Sequence, residues 1–324
     1  MDRIITHLRS CGAVLVATHE SPDGDALGSL LAMGFALESI GKKVTLYNES
    51  PIPAVYRYLP DVDRVVGDLN DVSRYDTTVI LDCGDLYRVG RLADPISRIP
   101  TVINIDHHTT NTGFGRFQLV DVAACSSTEL VYRLVTRMKI PVDSRIATAI
   151  YTGILTDTGS FRFSNTNGRA FSICAEMVEK RVDPYLVAQH VFGTYSLGRI
   201  KLLNLALDSI EISPNGKLSL MTLTRDMFEE TDTQLEDVDG LINYAKRIED
   251  VKIAAMIVEH VNGGPDCSEA GCRYHVSLRS DGSVDVAAIA AAFGGGGHTS
   301  AAGFGIEASL SEVRGRIYRL AETL

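Results

Sequence analysis

Three short apolar runs in the first half of the chain are each followed by a cluster of acids or of acids and histidines. This shared arrangement is the sequence feature that constrains the fold most. The runs cover residues 13–18, 77–81 and 101–105, and their β-branched members predict buried strands. A helical pattern over residues 26–40 leads from the first run to another apolar run, 44–47. Strands that alternate with helices predict an α/β fold with a parallel sheet. The polar residues that follow the runs are His19, Asp23, Asp25, Asp82, Asp106, His107 and His108.

These polar clusters are expected to meet, because ligands of open parallel sheets bind beyond the carboxyl ends of the strands. A further acid, Asp157, follows a helical pattern over residues 143–155 and lies between Gly153 and Gly159. Several carboxylates within a few ångströms repel one another strongly unless cations are bound. The sequence therefore predicts a metal site at this edge of the sheet.

The donor atoms indicate which metal is expected. Imidazole nitrogen and carboxylate oxygen without thiolate suit Mn²⁺, with Mg²⁺, Fe²⁺ or Co²⁺ as substitutes. Six ligands are too many for one catalytic ion, so two ions about 3.5–4 Å apart that share a carboxylate explain them better. Asp82 is the favoured bridge, and Asp85 is its nearby competitor. Each cluster alone is more simply a turn or a helix cap, and only their joint occurrence favours the metal site.

The charge and cysteine content limit the partners. A net charge of −10 argues against a surface that grips long duplex DNA, although bound cations would still allow a small phosphate ester to bind. No apolar stretch is long enough to cross a membrane and no cleavable leader is evident, so a soluble cytoplasmic protein without a membrane partner is expected. Cys267 and Cys272 lie in a polar loop, where a zinc half-site or a disulfide is only weakly supported.

The second half of the chain predicts a smaller α/β domain. The expected division is a catalytic domain over 1–190, a helical connection over 191–213 and a substrate-binding domain over 214–324. The connection is expected as one longer amphipathic helix over 195–212, and its apolar stripe is Ile200, Leu203, Leu207 and Ile210.

Two features of this half favour substrate binding. The glycine run at Gly294, Gly295, Gly296 and Gly297, followed by His298, allows backbone N–H groups to approach a phosphate or a base closely. A hinge is the alternative, but a helical pattern before the run and small residues after it argue against one. Arg279, at a predicted strand end, is either a phosphate contact or a solvated surface arginine.

Taken in order, these motifs resemble a known family. The first half resembles the DHH phosphoesterase superfamily, and the second half resembles the DHHA1 domain. The motifs of the first half are Thr18-His19-Glu20-Ser21-Pro22-Asp23-Gly24-Asp25, Leu81-Asp82-Cys83-Gly84-Asp85, Asp106-His107-His108 and Leu155-Thr156-Asp157-Thr158-Gly159. Those of the second half are Asp285-Val286-Ala287-Ala288-Ile289-Ala290 and the glycine run with His298 and Gly303.

The resemblance implies a fold and an activity. It implies a parallel-sheet DHH domain and a smaller DHHA1 domain. Within the superfamily, the short two-domain form resembles the bifunctional oligoribonucleases and pAp phosphatases of the nanoRNase A type. Such an enzyme would hydrolyse very short oligonucleotides (nanoRNA) to mononucleotides, and 3′-phosphoadenosine 5′-phosphate (pAp) to AMP. A hydroxide formed from a bridging water on two Mn²⁺ ions would attack phosphorus in line.

The resemblance also implies the roles of individual residues. One ion would be held by His19, Asp23 and Asp82, and the other by Asp25, Asp82, His107 and Asp157. His108 would lie near the scissile phosphate. Asp106 would orient His107 through its other ring nitrogen.

Several alternatives stay open from the sequence. A close one is hydrolysis of cyclic di-AMP or of a linear dinucleotide such as pApA or pGpG. A pyrophosphatase of this superfamily has another kind of second domain, and a long-strand DNA exonuclease would need further domains. A non-catalytic nucleotide sensor would be expected to lack a ligand, and no ligand is missing. The end of the oligonucleotide that is attacked and the oligomeric state, a homodimer included, stay undetermined.

Overall fold

A computed structural model describes residues 1–193, 195–259 and 272–322. The chain divides into two compact units, Met1–Thr194 and Tyr195–Leu324, and the predicted α/β class is confirmed in both. Within the described ranges, no helix is both long and apolar enough to cross a membrane. The prediction for Cys267 and for the side chain of Cys272 lies outside the described residues.

The first unit is built on a parallel sheet of five strands in the order β2-β1-β3-β4-β5. The strands are β1 (Ala13–Thr18), β2 (Lys43–Tyr47), β3 (Thr77–Leu81), β4 (Thr101–Asp106) and β5 (Phe117–Val120). The helices are α1 (Asp2–Ser10), α2 (Gly24–Ser39), α3 (Ala93–Ser97), α4 (Ser127–Arg137), α5 (Ser144–Asp157), α6 (Gly168–Glu179) and α7 (Pro184–Phe192). Helix α1 and strand β5 were not predicted. Strand β5 gives little apolar signal, because it is short, half-exposed and at the edge of the sheet.

The strand order explains why the polar clusters lie together. The connection from β1 runs to β2 on one side, and β3 lies on the other side of β1, so the order of strands reverses at β1. The crevice at such a reversal is the usual ligand site of an open α/β sheet. Thr18 pairs with Leu81, and Leu81 pairs with Ile105. The three strands therefore end at the same level, and the residues that follow them leave the sheet side by side.

The core of the first unit covers both faces of this sheet. Val14 and Val16 pack with α2, α4 and α5 on one face, while Leu15 and Ala17 pack on the other. Helix α2 is buried around nearly its whole circumference, because it lies between the sheet and α5. A Cβ atom at Gly28 would lie 2.5 Å from the carbonyl oxygen of Ala149, so glycine is what allows α2 and α5 to approach this closely.

The second unit contains a mixed sheet in the order β10-β11-β9-β8-β7-β6, in which only β7 and β8 pair in parallel. The strands are β6 (Glu211–Ile212), β7 (Leu218–Leu223), β8 (Ile253–Glu259), β9 (Cys272–Ser280), β10 (Gly296–His298) and β11 (Ala301–Ala308). The helices are α8 (Leu197–Asp208), α9 (Arg225–Thr231), α10 (Ile242–Lys246), α11 (Val286–Ala291) and α12 (Leu310–Ala321).

The prediction of one long helix over 195–212 is wrong. Helix α8 ends at Asp208, and the chain then forms the short strand β6. The predicted apolar stripe is confirmed for Leu203 and Ile210, which pack against the core, and is wrong for Ile200 and Leu207, which are 47% and 39% exposed. Leu202 and Ala206 are the buried residues instead. Helix α8 carries leucines around most of its circumference, so its sequence does not mark the face that packs on the sheet. The assignment of 191–213 as a connection stays a prediction.

The glycine run forms a helix end and a strand. Gly294 has a φ of +77° and follows α11, and the N–H group of Gly295 donates a hydrogen bond of 2.9 Å to the carbonyl of Ala290. This left-handed glycine is the usual way to end a helix. A Cβ at Gly295 would overlap the carbonyl of Gly303, and one at Gly297 would meet the carbonyl of Ala301. The fold therefore explains three of the four glycines.

Candidate metal centre

Three loops at the carboxyl ends of β1, β3 and β4 bring the predicted donor side chains together. Their ligand atoms form three groups, and within each group the atoms lie within 4.8 Å of one another. The groups are His19 with Asp23 and Asp82, Asp25 with Asp82 and His107, and Asp82 with Asp106 and His108. Asp82 belongs to all three groups and is therefore the central residue.

The two carboxylate oxygens of Asp82 face different partners. Its Oδ2 lies 3.5 Å from Nε2 of His19, and its Oδ1 lies 3.7 Å from Nε2 of His107. The hydroxyl of Ser127 donates to Oδ1 at 2.9 Å. Asp82 has a left-handed φ of 57°, a conformation that costs a non-glycine residue about 1–3 kcal/mol and often marks a functional site. This backbone turns the chain immediately after β3. The competitor Asp85 is outside the three groups and instead accepts from the N–H of Tyr87, which begins a short 3₁₀ turn.

Asp23 and Asp25 are helix caps as well as members of the cluster. Oδ1 of Asp23 accepts hydrogen bonds from the N–H groups of Asp25 and Ala26 and so caps α2. The carboxylate of Asp25 accepts from the N–H groups of Ser127 at 2.7 Å and of Thr128 at 2.9 Å, at the start of α4. Two helix N-termini therefore point at the cluster, where their partial positive charge stabilises carboxylates.

Backbone carbonyls orient two of the histidines. Nδ1 of His19 donates to the carbonyl of Glu20 at 2.8 Å, and Nδ1 of His107 donates to the carbonyl of Ala124 at 3.3 Å. A carbonyl can only accept, so Nδ1 carries the proton and Nε2 faces the acids. Nε2 of His107 also lies 3.5 Å from Oδ2 of Asp157. A histidine held in this way by its second nitrogen is typical of metal sites.

The prediction that Asp106 orients His107 is wrong. Asp106 accepts a hydrogen bond of 2.7 Å from Nδ1 of His108, and its other oxygen accepts from Asn111 at 2.6 Å. Both histidines follow the last residue of β4, where His107 bonds to the carbonyl of Ala124 and His108 bonds to Asp106. Asp106 and His108 therefore form a pair beside the cluster.

The comparisons with known proteins agree with this geometry. The N-terminal domain model of the DHH family matches residues 13–154, and the DHHA1 domain model matches residues 219–323. The bifunctional oligoribonuclease and PAP phosphatase NrnA of Thermus thermophilus is 33% identical over 293 residues, which are 90% of this chain and 83% of that protein. The chain belongs to the DHH phosphoesterase family.

Two further relatives of this DHH protein extend over most of the chain. NrnA of Bacillus subtilis, also a bifunctional oligoribonuclease and PAP phosphatase, is 26% identical over 300 residues, which are 90% of this chain and 89% of that protein. An exopolyphosphatase-related protein from Bacteroides fragilis has a crystal structure with a TM-score of 0.86 and 27% identity, covering 99% of this chain and 94% of its own. The family resemblance is confirmed, and the protein is a hydrolytic enzyme that acts on phosphoesters.

Charge crowding in this DHH enzyme shifts the pKa values of the cluster. Burial, followed by the charge of Asp82, raises the pKa of Asp25 to about 7. Burial and the charges of Asp25 and Asp82 also raise the pKa of Asp157. Burial opposes protonation of His108, but the hydrogen bond to Asp106 and the charge of Asp82 raise its pKa to about 9. Crowded carboxylates with raised pKa values are typical of a site that binds divalent cations.

Arg88 is a cation beside the cluster that was not predicted. Its carbonyl accepts a hydrogen bond of 2.8 Å from the N–H of Glu20, which places it against the residue that follows His19. The side chain is exposed, and its charge opposes the protonation of His19, whose pKa is raised on balance by Asp82 and Asp23 against the effect of burial. The only sequence signal for Arg88 is its position in the loop after β3.

The DHHA1 unit brings three predicted substrate residues onto one sheet face. Ala301 pairs with Arg279 on one side and with His298 on the other. Residues that pair directly across antiparallel strands share a face, so Arg279 and His298 flank a small alanine. Gly296, two residues before His298, shares this face and has no atom within 4 Å of a Cβ position. Gly297 pairs with the buried Ala302 and faces the core instead.

Proposed function

We propose that the protein hydrolyses very short oligonucleotides to mononucleotides, and pAp to AMP, with two divalent cations, Mn²⁺ being the preferred ion. The observation that carries this proposal is the position of Asp82, whose two oxygens face two separate donor sets. The substrate class is supported by the similarity over 90% of the chain to the Thermus thermophilus oligoribonuclease and PAP phosphatase.

The donor sets fit two hard or borderline divalent ions. His19, Asp23 and Oδ2 of Asp82 would hold one ion. Oδ1 of Asp82 with Asp25, His107 and Asp157 would hold the other. Imidazole and carboxylate donors without thiolate suit Mn²⁺ better than a structural zinc. Two such ions, when bound, lower the pKa of a water molecule and neutralise charge on the reacting phosphate.

His108 would act on the scissile phosphate. The hydrogen bond from Nδ1 to Asp106 fixes the ring and favours its protonated form. A protonated ring would present Nε2 to a phosphate oxygen and stabilise the charge that develops there. Asp106 would act through His108, held in turn by Asn111. Burial raises the pKa of Cys83 well above its ordinary value, so this thiol next to Asp82 is unsuited as a nucleophile.

Each unit, considered by itself, offers further candidate substrate contacts. Arg88 supplies a positive charge close to His19 for a phosphate group. On the DHHA1 sheet, Arg279 and His298 would contact phosphate or base, and Gly296 would let the backbone approach the nucleotide. Gly294, Gly295 and Gly297 contribute through the shape of the loop, since the fold itself accounts for them.

A substrate panel on the purified protein tests this function. The panel contains RNA and DNA of two to five nucleotides, pAp, cyclic di-AMP, pApA, pGpG and pyrophosphate, each with Mn²⁺, Mg²⁺ or chelator. The expected result is release of mononucleotides from the short RNA and of phosphate from pAp, with Mn²⁺ the best ion. The Asp82→Ala protein is the background control.

Three results of the panel would contradict the proposal. Preference for cyclic di-AMP or pGpG over short RNA and pAp would replace it with a cyclic- or linear-dinucleotide phosphodiesterase. Full activity in the presence of chelator would show that hydrolysis does not need a metal ion. Unchanged hydrolysis by the Asp82→Ala protein would show that the centre of the reaction lies elsewhere.

A further inference from the structure

The ligand candidate Asp157 enters the cluster from a strained turn. It is the last residue of α5, and Thr158 follows it. The three residues after Thr158 have left-handed φ values: 56° at Gly159, 59° at Ser160 and 62° at Phe161. Consecutive left-handed residues are rare in L-proteins, and each non-glycine one is costly. The turn is held by its surroundings, for instance by the hydrogen bond of 2.8 Å from the N–H of Ser160 to the carbonyl of Leu155.

Asp157 also lies at the less favourable end of a helix for a carboxylate. The partial charge at a helix C-terminus is negative, whereas Asp23 and Asp25 accept hydrogen bonds from helix N-termini. Asp157 receives a hydrogen bond from a side chain instead. The amide nitrogen of Asn165 lies 3.1 Å from Oδ2 of Asp157 and 3.1 Å from its carbonyl oxygen.

The same amide nitrogen of Asn165 reaches across to the segment before α4. It donates to the carbonyl of Cys125 at 2.8 Å. The neighbouring residues of that segment position three other members of the cluster: the carbonyl of Ala124 orients His107, the N–H of Ser127 holds Asp25, and the hydroxyl of Ser127 holds Asp82. Asn165 therefore connects Asp157, the fourth member of this set, to the scaffold of the other three.

The orientation of the Asn165 amide follows from its neighbours. All three partners of its nitrogen are acceptors, so a flipped amide would place oxygen against oxygen. In the described part of the chain, Oδ1 of Asn165 is buried without a hydrogen-bond partner. The donor side of the amide therefore makes all of the hydrogen bonds described for this side chain.

We propose that Asn165 is a positioning residue of the metal centre, which holds the Asp157 carboxylate in place to bind the ion it shares with Asp25, Asp82 and His107. This inference rests on the proposed metal centre. It assigns no contact with the substrate to Asn165. It predicts that loss of the amide donor lowers the affinity for the ion at Asp157 and leaves the affinity for the ion at His19 and Asp23 unchanged.

Titration of ion-free protein with Mn²⁺ tests the inference without an activity measurement. Free Mn²⁺ is followed by electron paramagnetic resonance, and the heat of binding by calorimetry. Asn165→Ala and Asn165→Leu both remove the donor, and the leucine keeps the approximate size of the side chain. We expect two ions on the unchanged protein, and in both variants a loss of about 10–100-fold in affinity for one of them.

Asn167→Ala is the matched control. Asn167 lies two residues away in the same loop and is likewise half-buried. Its Oδ1 caps α6 by accepting from the N–H of Ala170, and its nitrogen faces the carbonyl of Ala123 and Glu129 instead of Asp157. This variant should melt a few degrees lower, as expected for a lost helix cap, with Mn²⁺ binding unchanged.

The outcomes separate this inference from the proposed metal centre. Normal Mn²⁺ binding by Asn165→Leu, or an equal loss in Asn167→Ala, would overturn the role of Asn165 while the centre itself stands. Absence of Mn²⁺ binding by the unchanged protein would overturn the centre. Should Asn165→Ala not fold, the Asn165→Leu protein decides, because it fills the space of the asparagine side chain.

Discussion

Replacing Asp82 by asparagine should remove the response of the protein to metal at both proposed positions. Asparagine has the same size, so the change removes charge and leaves the packing intact. Asp82 is buried, and its two oxygens lie 3.5 Å from His19 and 3.7 Å from His107. A bridging role means that each ion loses a ligand at once, whereas a non-bridging role would spare one of them.

The size of the effect follows from ligand linkage. At a free Mn²⁺ concentration of 100 times Kd, one ion stabilises the fold by about 2.7 kcal/mol. If the lost ligand weakens binding about 100-fold, the same concentration stabilises by only about 0.4 kcal/mol. One kcal/mol shifts Tm by roughly 2–4 °C in a domain of the size of the first unit, Met1–Thr194. A shift of roughly 5–11 °C per ion should therefore fall to about 1–2 °C.

Scanning calorimetry with chelator and with Mn²⁺ measures this shift. Each variant is compared with itself, so that any change in its ion-free stability cancels. Asp85→Asn is the control, because Asp85 lies in the same loop and caps a turn through the N–H of Tyr87 without joining the donor groups. An unaltered Mn²⁺-induced shift of Tm in Asp82→Asn would refute the bridging role of Asp82. Loss of this shift in Asp85→Asn would instead identify Asp85 as the bridging residue.

Four further outcomes are expected. His108→Asn should lower kcat about 10²–10³-fold while Mn²⁺ binding, measured by titration, stays unchanged. Arg88→Ala should raise KM for pAp about 10-fold in steady-state assays, whereas Arg91→Ala should not, because Arg91 already pairs with carboxylates. Gly153→Ala should lower Tm by several degrees in thermal melts, since its Cβ would overlap the hydroxyl of Thr128. In ion-free protein, the pKa of His108 is raised from 6.5 to about 9, so its stabilising contribution is present below about pH 6.5 and is lost as the pH rises towards 9. Because Mn²⁺ needs deprotonated ligands, its stabilising shift in melting scans should be larger at pH 8 than at pH 6.5.

The sequence predicted four of the five strands of the first unit, because buried parallel strands have a strong local signal. It predicted the meeting of the polar clusters because the level at which parallel strands end is a property of the fold class. It could not show which acid faces which histidine. The pairing of Asp106 with His108 depends on how the chain turns after the end of β4, which the residue types Asp-His-His do not specify.

The second unit was harder to predict for physical reasons. Strands β10 and β11 consist largely of glycine and alanine, which carry little strand propensity and no apolar periodicity. Their pairing with β9 is what gives them structure, and that information is not local. The buried face of α8 was predicted only in part, because tertiary packing selects among several apolar faces.

The contacts that hold the cluster are also non-local. The N–H of Ser127 and the carboxylate of Asp25 are separated by 102 positions in the chain, and the hydroxyl of Ser127 and Asp82 by 45. In the sequence, Ser126 and Ser127 show only the local pattern of a helix start. Such a serine has the same local signature whether its donors meet the backbone or a carboxylate from a distant loop.

Helix capping and metal binding, which competed as interpretations of each acid, turn out to be compatible. Asp23 caps α2 with Oδ1 alone, so Oδ2 remains for an ion, and Asp25 accepts from the start of α4 while it lies 3.9 Å from His107. Capping thus fixes the carboxylates, and the positive ends of two helices offset part of their repulsion before any cation binds. Asp157 enters from a helix C-terminus without this support. On this argument it is the acid whose geometry depends most on a side-chain donor, and Asn165 is that donor.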